Sequence, residues 1–197
     1  MKINDFINND NLYDSDSILN MWTEFDERVE LYDGNFVLDV LPHPKHNWFQ
    51  SRLFSQLTNH FDELDSNNND DNWLILQDPK VLYPKALNGF IHDLAGWYKS
   101  RLPSIPDEQK IEIVPNWVCE ILSGNVRNDT VIKKTVLHKN KVEYYWLVDW
   151  RLKTIDIFEW AEQEYKILNK LILTGDDLEQ ITAKPFNFPI KTSKLFR

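Results

Sequence analysis

Residues 115–150 read "PNWVCEILSGNVRNDTVIKKTVLHKNKVEYYWLVDW", and this stretch decides the fold class. An apolar run at 115–123 is followed by a helical pattern at 129–140 and a second apolar run at 143–150. A strand, a helix and a strand in this order form a right-handed crossover in nearly all known sheets. We therefore expect the two strands to lie parallel in one sheet, with the helix packed against it.

The remaining chain adds antiparallel signals and two more helices. Asp33-Gly34 between alternating apolar runs predicts a hairpin at 28–42. Helical periodicity predicts helices at 14–27 and 44–64, and residues 174–180 open a short helix. Further strands are predicted at 73–77, 80–84, 89–98, 154–160 and 165–173. The fold class is thus α/β, a mixed sheet flanked by helices, with an N-terminal helix and β-hairpin.

Composition narrows the class of protein. A chain of 197 residues with 42% hydrophobic residues suits one domain, so we expect a single domain over 1–197 with its core at about 28–160. The single cysteine, Cys119, excludes an intrachain disulfide and is typical of a reducing compartment. A polar N-terminus and the lack of a long apolar run predict a cytoplasmic protein that does not enter the membrane. The net charge of −9 argues against a broad basic surface for nucleic acid.

Two acidic residues lie within apolar, strand-like runs. Asp93 belongs to "IHDLAGWYKSRLP" (91–103), and Glu120 lies in the strand that opens the crossover. Alternation along a strand places Asp93 on one face with Ile91 and Trp97. If the two strands are neighbours, the carboxylates meet and repel each other, and a divalent cation relieves this repulsion. Mg²⁺ is typically held by one or two carboxylates together with water and phosphate oxygens.

The crossover helix offers a cation close to this pair of acids. Its apolar side is formed by Val131, Ile132, Val136 and Leu137. At 100° per residue, Lys133 lies toward that side and Lys134 lies nearly opposite. We therefore expect Lys133 to reach inward and Lys134 to face solvent.

The order of these residues along the chain is an acid, then Glu-x-Leu, then an inward helix lysine. This order resembles the Uma-two family of "putative restriction endonucleases" in the PD-(D/E)xK nuclease superfamily. Six stretches agree with the family in order: "VELYDGNFV" (29–37), "PKHNWFQSRLFSQL" (44–57), "IHDLAGW" (91–97), "NWVCEILS" (116–123), "RNDTVIKK" (127–134) and "VEYYWLVDW" (142–150). The resemblance covers about residue 28 to about residue 160. No single motif decides it, but their order and spacing together are specific.

The resemblance implies a restriction-endonuclease-like fold and Mg²⁺-dependent hydrolysis of nucleic-acid phosphodiesters, with Mn²⁺ able to substitute. It matches Asp93 and Glu120 to the family's metal-binding catalytic acids and Lys133 to its catalytic lysine. Glu30 and His46 match auxiliary positions. DNA is the expected nucleic acid, although the sequence does not separate DNA from RNA. Superfamily members often dimerise to cut two strands, so the resemblance also allows a homodimer.

The family pattern is altered at three places beside the matched acids. His92 replaces a proline, Ser123-Gly124 replaces Ser-Pro, and Tyr144-Tyr145-Trp146 replaces Glu-Tyr-Trp. None of these changes removes a catalytic group. They motivate a second hypothesis, in which the protein keeps the nuclease fold but serves as a binding or assembly module. Other hydrolase classes lack support, because the sequence has no Gly-x-Ser-x-Gly elbow and no His-Glu-x-x-His.

Each matched residue also has a simpler structural interpretation. Asp93 fits a strand end that accepts backbone hydrogen bonds, and Glu120 fits a solvent-facing edge position. Glu30 fits the exposed side of a hairpin, and His46 fits a surface or capping residue. A lysine on a helix is usually solvated. Asp129 is most simply an acid in the first turn of its helix, or a helix cap.

Overall fold

The computed structural model describes residues 14–25, 28–39, 41–65, 72–83, 87–122, 126–173 and 180–195. The helices in these ranges are α1 (Ser15–Thr23), α2 (Pro44–Asp65), a π-helical turn (Asn128–Lys133) that continues into α3 (Lys134–Lys139), and a 3-10 turn (Thr192–Lys194). The strands are β1 (Val29–Tyr32), β2 (Asn35–Leu38), β3 (Trp73–Gln77), β4 (Lys80–Tyr83), β5 (Asn88–Ile91), β6 (Leu94–Tyr98), β7 (Trp117–Ile121), β8 (Tyr144–Asp149), β9 (Thr154–Glu159) and β10 (Lys166–Ile172). The short helix predicted at 174–180 falls almost entirely outside the described residues.

The described strands form two sheets. The smaller sheet has the order β2-β1-β5-β4, and the larger has the order β10-β9-β8-β7-β6-β3. Within the larger sheet β7 and β8 are parallel, while β6 pairs with β7 in the antiparallel sense. The mixed sheet and the parallel crossover predicted from residues 115–150 are both confirmed.

The hairpin turn is also confirmed, and its backbone explains the sequence signal. Asp33 and Gly34 both have positive φ, at 46° and 80°. These are the angles that a two-residue turn of the primed type requires, and they favour Asp and Gly. At the start of α1, Asp14 caps the helix by accepting a hydrogen bond from the backbone N–H of Ser17 at 2.8 Å.

The prediction of one strand at 89–98 is wrong. The chain leaves the smaller sheet after β5, passes through His92 and Asp93, and enters the larger sheet as β6. Asp93 therefore lies between two strands and does not share a strand face with Ile91 and Trp97, as the alternation argument predicted. Glu120 does lie within its strand, between the buried neighbours of β7.

β4 and β3, which pair with β5 and β6, are interrupted at the same level. This shared interruption explains why the predicted strand at 89–98 is divided into β5 and β6. Asp78 and Pro79 separate β3 from β4 opposite the break between β5 and β6. Asp78 has a positive φ of 52°, and Pro79 has no N–H to donate to a ladder. We call residues 78, 79, 92 and 93 the sheet corner. The whole antiparallel ribbon bends there from one sheet into the other.

The larger sheet is covered on both faces. α2 and residues 181–195 pack on the face that carries Trp117 and Cys119 of β7. The opposite face carries Val118 and packs against α3. Because strand residues alternate, Glu120 shares the second face with Val118, as predicted, and points toward the crossover helix.

The crossover helix begins with a π-turn, and this corrects part of the predicted helix face. Lys133 is 5% exposed, so its inward position is confirmed. Val131 was predicted to face the sheet but is 53% exposed. Lys134 was predicted to be solvated but is half-buried, with its Nζ 3.7 Å from the centre of the Phe158 ring. The π-turn holds more residues than an α-turn, so positions at its start rotate away from the predicted face.

None of the helices among the described residues combines the length and the apolarity that crossing a membrane requires.

Gly89 is the point where the smaller sheet touches α1, and it generates a stability prediction. A Cβ at this position would lie 2.7 Å from the buried Trp22 ring, whose indole N–H donates to the carbonyl of Val29 at 2.7 Å. We expect Gly89→Ala to lower the free energy of unfolding by about 1–3 kcal/mol through overpacking. Gly96→Ala, where the nearest atom is 3.1 Å away, should cost less. Urea unfolding of both variants tests this, and equal stability of Gly89→Ala and wild type would contradict it.

Candidate active site

One small cavity at the sheet corner collects every site residue that the sequence predicted. It encloses about 30 Å³, enough for a water molecule or two. Its lining includes Glu30, His46, Asp93, Glu120, Asp129 and Lys133. These residues come from β1, α2, the sheet corner, β7 and the π-turn. The fold therefore brings together side chains that are far apart in sequence.

The Lys133 ammonium stands at the centre of three carboxylates. Its Nζ lies 2.9 Å from Glu30, 3.3 Å from Glu120 and 3.4 Å from Asp129. Burial alone lowers the pKa of Lys133, but Glu120, Glu30 and Asp129 raise it well above its ordinary value. Lys133 is therefore a fixed cation. A neutral amine that accepts protons is excluded at physiological pH.

Asp93 is held on one side by two donors. Its Oδ2 lies 3.0 Å from Nε2 of His46 and accepts the backbone N–H of Ile121 at 2.7 Å. Gln50, one turn after His46 on α2, donates from Nε2 to the backbone carbonyl of Asp93 at 2.9 Å. The same carbonyl also accepts the backbone N–H of Asp78 at 3.2 Å, so Gln50 adds a second hydrogen bond to it. Burial lowers the pKa of His46, but the hydrogen bond and charge of Asp93 outweigh it and raise that pKa.

Glu120 is bound by Lys133 on one oxygen and by His92 on the other. Nδ1 of His92 lies 2.5 Å from Oε1 of Glu120, and Nε2 of His92 lies 2.9 Å from the Tyr83 hydroxyl. His92 is completely buried. Burial and the charge of Lys133 lower the pKa of His92 to about 3, so the ring is neutral. When Glu120 is ionised, Nδ1–H donates to it and Nε2 accepts from Tyr83.

Glu30 uses both carboxylate oxygens within the protein. Oε1 accepts the backbone N–H of Ile91 at 3.1 Å and faces Lys133, while Oε2 accepts the Tyr32 hydroxyl at 2.5 Å. Glu30 is 3% exposed, which excludes the interpretation of an exposed hairpin residue. Its position is that of a carboxylate that orients Lys133.

The cluster carries an excess of buried acids. Burial, together with neighbouring carboxylates, raises the pKa of Glu120 to about 8 and that of Asp129 to about 8, although Lys133 lowers both. An apolar environment of this kind favours the protonated acid. Asp129 is an acid of the first helical turn, as predicted, but it does not cap the helix, and its ion pair with Lys133 makes it a member of the cluster.

The residues that support the site side chains were not predicted from the sequence. His92 was noted only as a departure from the family pattern, and Gln50, Tyr32 and Tyr83 were not predicted to contact the site. One signal was present for His92, because a histidine inside an apolar run must find partners once buried. The other three gave no signal, since each lies on a predicted helix or strand where such residues are ordinary.

Fold and site together define the class of the protein. A mixed sheet with acids at the corner and on the next strand, and a lysine on the crossover helix, is a restriction-endonuclease-like nuclease fold. The profile of the Uma2 family, described as "Putative restriction endonuclease", matches residues 17–184. The chain belongs to this family, as the sequence motifs predicted.

A solved structure gives the same result for the fold. The chain is similar to "a putative nuclease belonging to DUF820" from Anabaena variabilis ATCC 29413, with a TM-score of 0.67 and 17% identity. That alignment covers 94% of this chain and 98% of the other. A second similar structure is the type IIG restriction endonuclease BpuSI, with a TM-score of 0.40 and 14% identity over 72% of this chain and 16% of that one. No curated protein matches the chain.

The buried acids predict how stability depends on pH in the metal-free protein. The pKa of Glu120 is about 8 in the folded state against an ordinary value of 4.5, so the folded chain keeps a proton that the unfolded chain has released. Stability from this group is fully present below pH 4.5 and is lost as pH rises toward 8. The pKa of His46 is also raised in the folded state, so the stability that His46 contributes is present below pH 6.5 and is lost as pH rises above that value. We expect the Tm in EDTA to fall between about pH 5 and pH 8.

Glu120→Gln should make this decline shallower, because the amide cannot lose a proton. Glu143→Gln is the matched control, since Glu143 accepts a hydrogen bond from Asn116 outside the cluster. Scanning calorimetry or circular dichroism at several pH values measures both. An unchanged slope in Glu120→Gln would contradict the assignment of the proton to Glu120.

Proposed function

We propose that this protein is a Mg²⁺-dependent endonuclease that hydrolyses phosphodiester bonds of DNA, and that Mn²⁺ substitutes for Mg²⁺. Asp93 and Glu120 hold the ion, and Lys133 assists the reaction. The proposal rests on membership of the family and on the chemistry of the cavity at the sheet corner. The substrate phosphodiester would reach this cavity from solvent and be hydrolysed there.

The charge imbalance of the cavity is the observation that carries the proposal. Four buried carboxyl groups, those of Glu30, Asp93, Glu120 and Asp129, face one buried lysine and two buried histidines, of which His92 is neutral. Arg28 also lines the cavity, but it is paired with carboxylates outside this group. Burying an ionised carboxylate without a compensating charge costs on the order of several kcal/mol. A divalent cation supplies the missing positive charge and displaces the protons that burial otherwise retains.

Asp93 and Glu120 are the carboxylates that the family resemblance assigns to the ion, although His92 and Lys133 already engage both oxygens of Glu120. Both line the cavity, and Oδ1 of Asp93 accepts no hydrogen bond from any described residue. Among the residues that the structure describes, no group of three or more His, Cys, Asp or Glu side chains is arranged to hold a metal. Two carboxylates completed by water and phosphate oxygens is nevertheless the usual arrangement for Mg²⁺. When bound, Mg²⁺ polarises a scissile phosphate and lowers the pKa of its bound water.

The other residues position the reacting groups. Lys133, a permanent cation beside Glu120, orients the attacking water and stabilises negative charge that develops on the phosphate. Glu30 and Asp129 hold Lys133 in place, which leaves Glu30 in a supporting role. His46 fixes Asp93, and His92 fixes Glu120. Each acid that faces the ion thus has its own histidine.

One observation favours the alternative, a nuclease-fold protein that binds or assembles without cleaving. Lys133 already forms ion pairs with three of the four carboxylates, so the cluster has internal partners without a metal. In that case the network is a structural element that joins the two sheets. The two functions differ in whether the site binds a divalent cation.

Cleavage is tested with Mg²⁺ or Mn²⁺ on single- and double-stranded DNA and RNA. We expect metal-dependent cleavage of DNA by wild type and a loss on the order of a hundredfold or more in Asp93→Ala, Glu120→Ala and Lys133→Met. Lys134→Met and Glu143→Ala are matched controls, since Lys134 packs on Phe158 and Glu143 lies outside the cavity. Circular dichroism checks that each variant folds. Full activity of Glu120→Ala would place the chemistry elsewhere.

Metal binding is tested by the stabilisation that a ligand confers on the folded state. At pH 8, millimolar Mg²⁺ or Mn²⁺ should raise the Tm of wild type, and calorimetric titration should show binding. Asp93→Asn and Glu120→Gln should lose both effects, whereas Glu143→Gln should keep them. A wild type that binds neither ion and cuts no substrate would support the binding module.

A further inference from the structure

A second cavity lies beside the active site and has a different character. It encloses about 140 Å³ and lies between the start of α2 and the end of β8. We call it the tryptophan cleft; its lining residues are Lys45, Trp48, Phe49, Trp150, Arg151, Lys153 and Leu195. Aromatic and basic side chains thus meet there without a lining acid.

The cleft is basic although the protein is acidic. The chain has 31 Asp and Glu residues, yet residues 40–61 contain neither. No described carboxylate is within ion-pair distance of Lys45, Arg52 or Lys153, whereas Arg151 is paired with Asp149 at 3.1 Å. A cationic surface without ion-pair partners among the described residues, on a protein of net charge −9, attracts anions to one place.

The aromatic rings in the cleft are arranged among cations. His43 stacks on Trp150 with ring centres 5.1 Å apart and an angle of 19° between the planes. Nζ of Lys45 is 5.8 Å from the Trp150 ring, and the Arg52 guanidinium is 4.4 Å from the Trp48 ring. Trp48 is 37% exposed. His43 covers part of Trp150 and Arg52 covers part of Trp48, so the ring surfaces left for a nucleobase are those that line the cleft, beside the cations that its phosphates would meet.

The cleft shares its backbone elements with the active site. Lys45 directly precedes His46, which binds Asp93. On the sheet, Ile121 of β7 pairs in parallel with Val148 of β8, and Trp150 follows two residues later. Adjacent strands lie about 4.8 Å apart, so both sites lie at the C-terminal ends of β7 and β8, the cleft on the face covered by α2 and Glu120 on the opposite face.

We propose that the tryptophan cleft binds an unpaired nucleotide of single-stranded DNA, with the base against Trp150 or Trp48 and the phosphates at Lys45 and Lys153. The strand then continues to the cavity at the sheet corner, a placement that rests on the proposed nuclease function. Bases in a duplex stack on one another and leave no free face for an aromatic side chain. The cleft therefore selects DNA whose bases are unpaired near the cleavage position.

The test is the binding of a fluorescein-labelled strand of twelve deoxythymidines, measured by fluorescence anisotropy in EDTA. We expect Trp150→Ala to weaken binding on the order of tenfold, as for loss of one stacked base, and Trp150→Phe to retain most of it. Lys45→Gln should weaken binding and reduce the dependence of log K on log salt by about one. The same strand annealed to its complement should bind more weakly than the single strand.

Trp160 gives a matched control on another part of the sheet. It is half-buried like Trp150, stacks on His138 with ring centres 5.9 Å apart, and has Nζ of Lys141 at 5.7 Å. Trp160→Ala and Lys141→Gln should leave DNA binding unchanged. Equal losses in Trp150→Ala and Trp160→Ala would overturn the proposal.

Abasic strands separate stacking from simple charge attraction. Replacing the bases by abasic sugars should weaken wild-type binding as much as Trp150→Ala does, and the two changes should not add. If wild type binds the abasic strand equally well, or binds the duplex better, the cleft does not hold a base. If wild type cleaves DNA and Trp150→Ala cleaves it equally well at low DNA concentration, the cleft proposal is overturned but the nuclease proposal is not. If Trp150→Ala weakens DNA binding but wild type cleaves no substrate, the cleft proposal stands and the nuclease proposal fails.

Discussion

The buried ammonium of Lys133 is the interaction on which the described structure depends most. A charge with 5% exposure is tolerated only among compensating charges, and three carboxylates provide them within 3.4 Å. Those carboxylates come from both sheets and from the crossover helix. The ammonium therefore fixes the smaller sheet against the larger one and holds the π-turn over β7. A change at this one atom affects both the assembly of the fold and the chemistry of the cavity.

The sheet corner complements this electrostatic constraint with a backbone constraint. Where the ribbon bends, the N–H groups of Asp78 and His92 keep backbone partners, and Gln50 of α2 donates a further hydrogen bond to the carbonyl of Asp93. The bend also releases two side chains from strand alternation. As a result Asp93 and His92, adjacent in sequence, engage different partners, His46 and Glu120. The replacement of the family's proline by His92 thus gives Glu120 a second hydrogen bond.

The acidic composition has two structural consequences. Four of the acidic residues are collected in the buried cavity, where burial raises the pKa of Glu120 and Asp129 to about 8 and so favours their protonated forms. The basic residues of the tryptophan cleft, by contrast, lack described acidic partners except at Arg151. A net charge of −9 suggested the absence of a broad basic surface, but it did not reveal a small one. Local segregation of charge, more than the total, decides what the protein surface can attract.

The sequence by itself determined the hairpin, the parallel crossover, the strand faces of β7 and the inward lysine, because each depends on the period of apolar residues or on the chemistry of a turn. It also determined the family, through the order of short motifs, and it named five candidate site residues that the fold brings to one cavity. Only the tertiary structure decided that Asp93 lies between strands, that the crossover helix begins with a π-turn, and that Asp129 and His92 join the site. These features arise where chain segments distant in sequence satisfy one another's charges and hydrogen bonds. Local periodicity carries no information about such partners, since burial and pairing are fixed only when the two sheets meet.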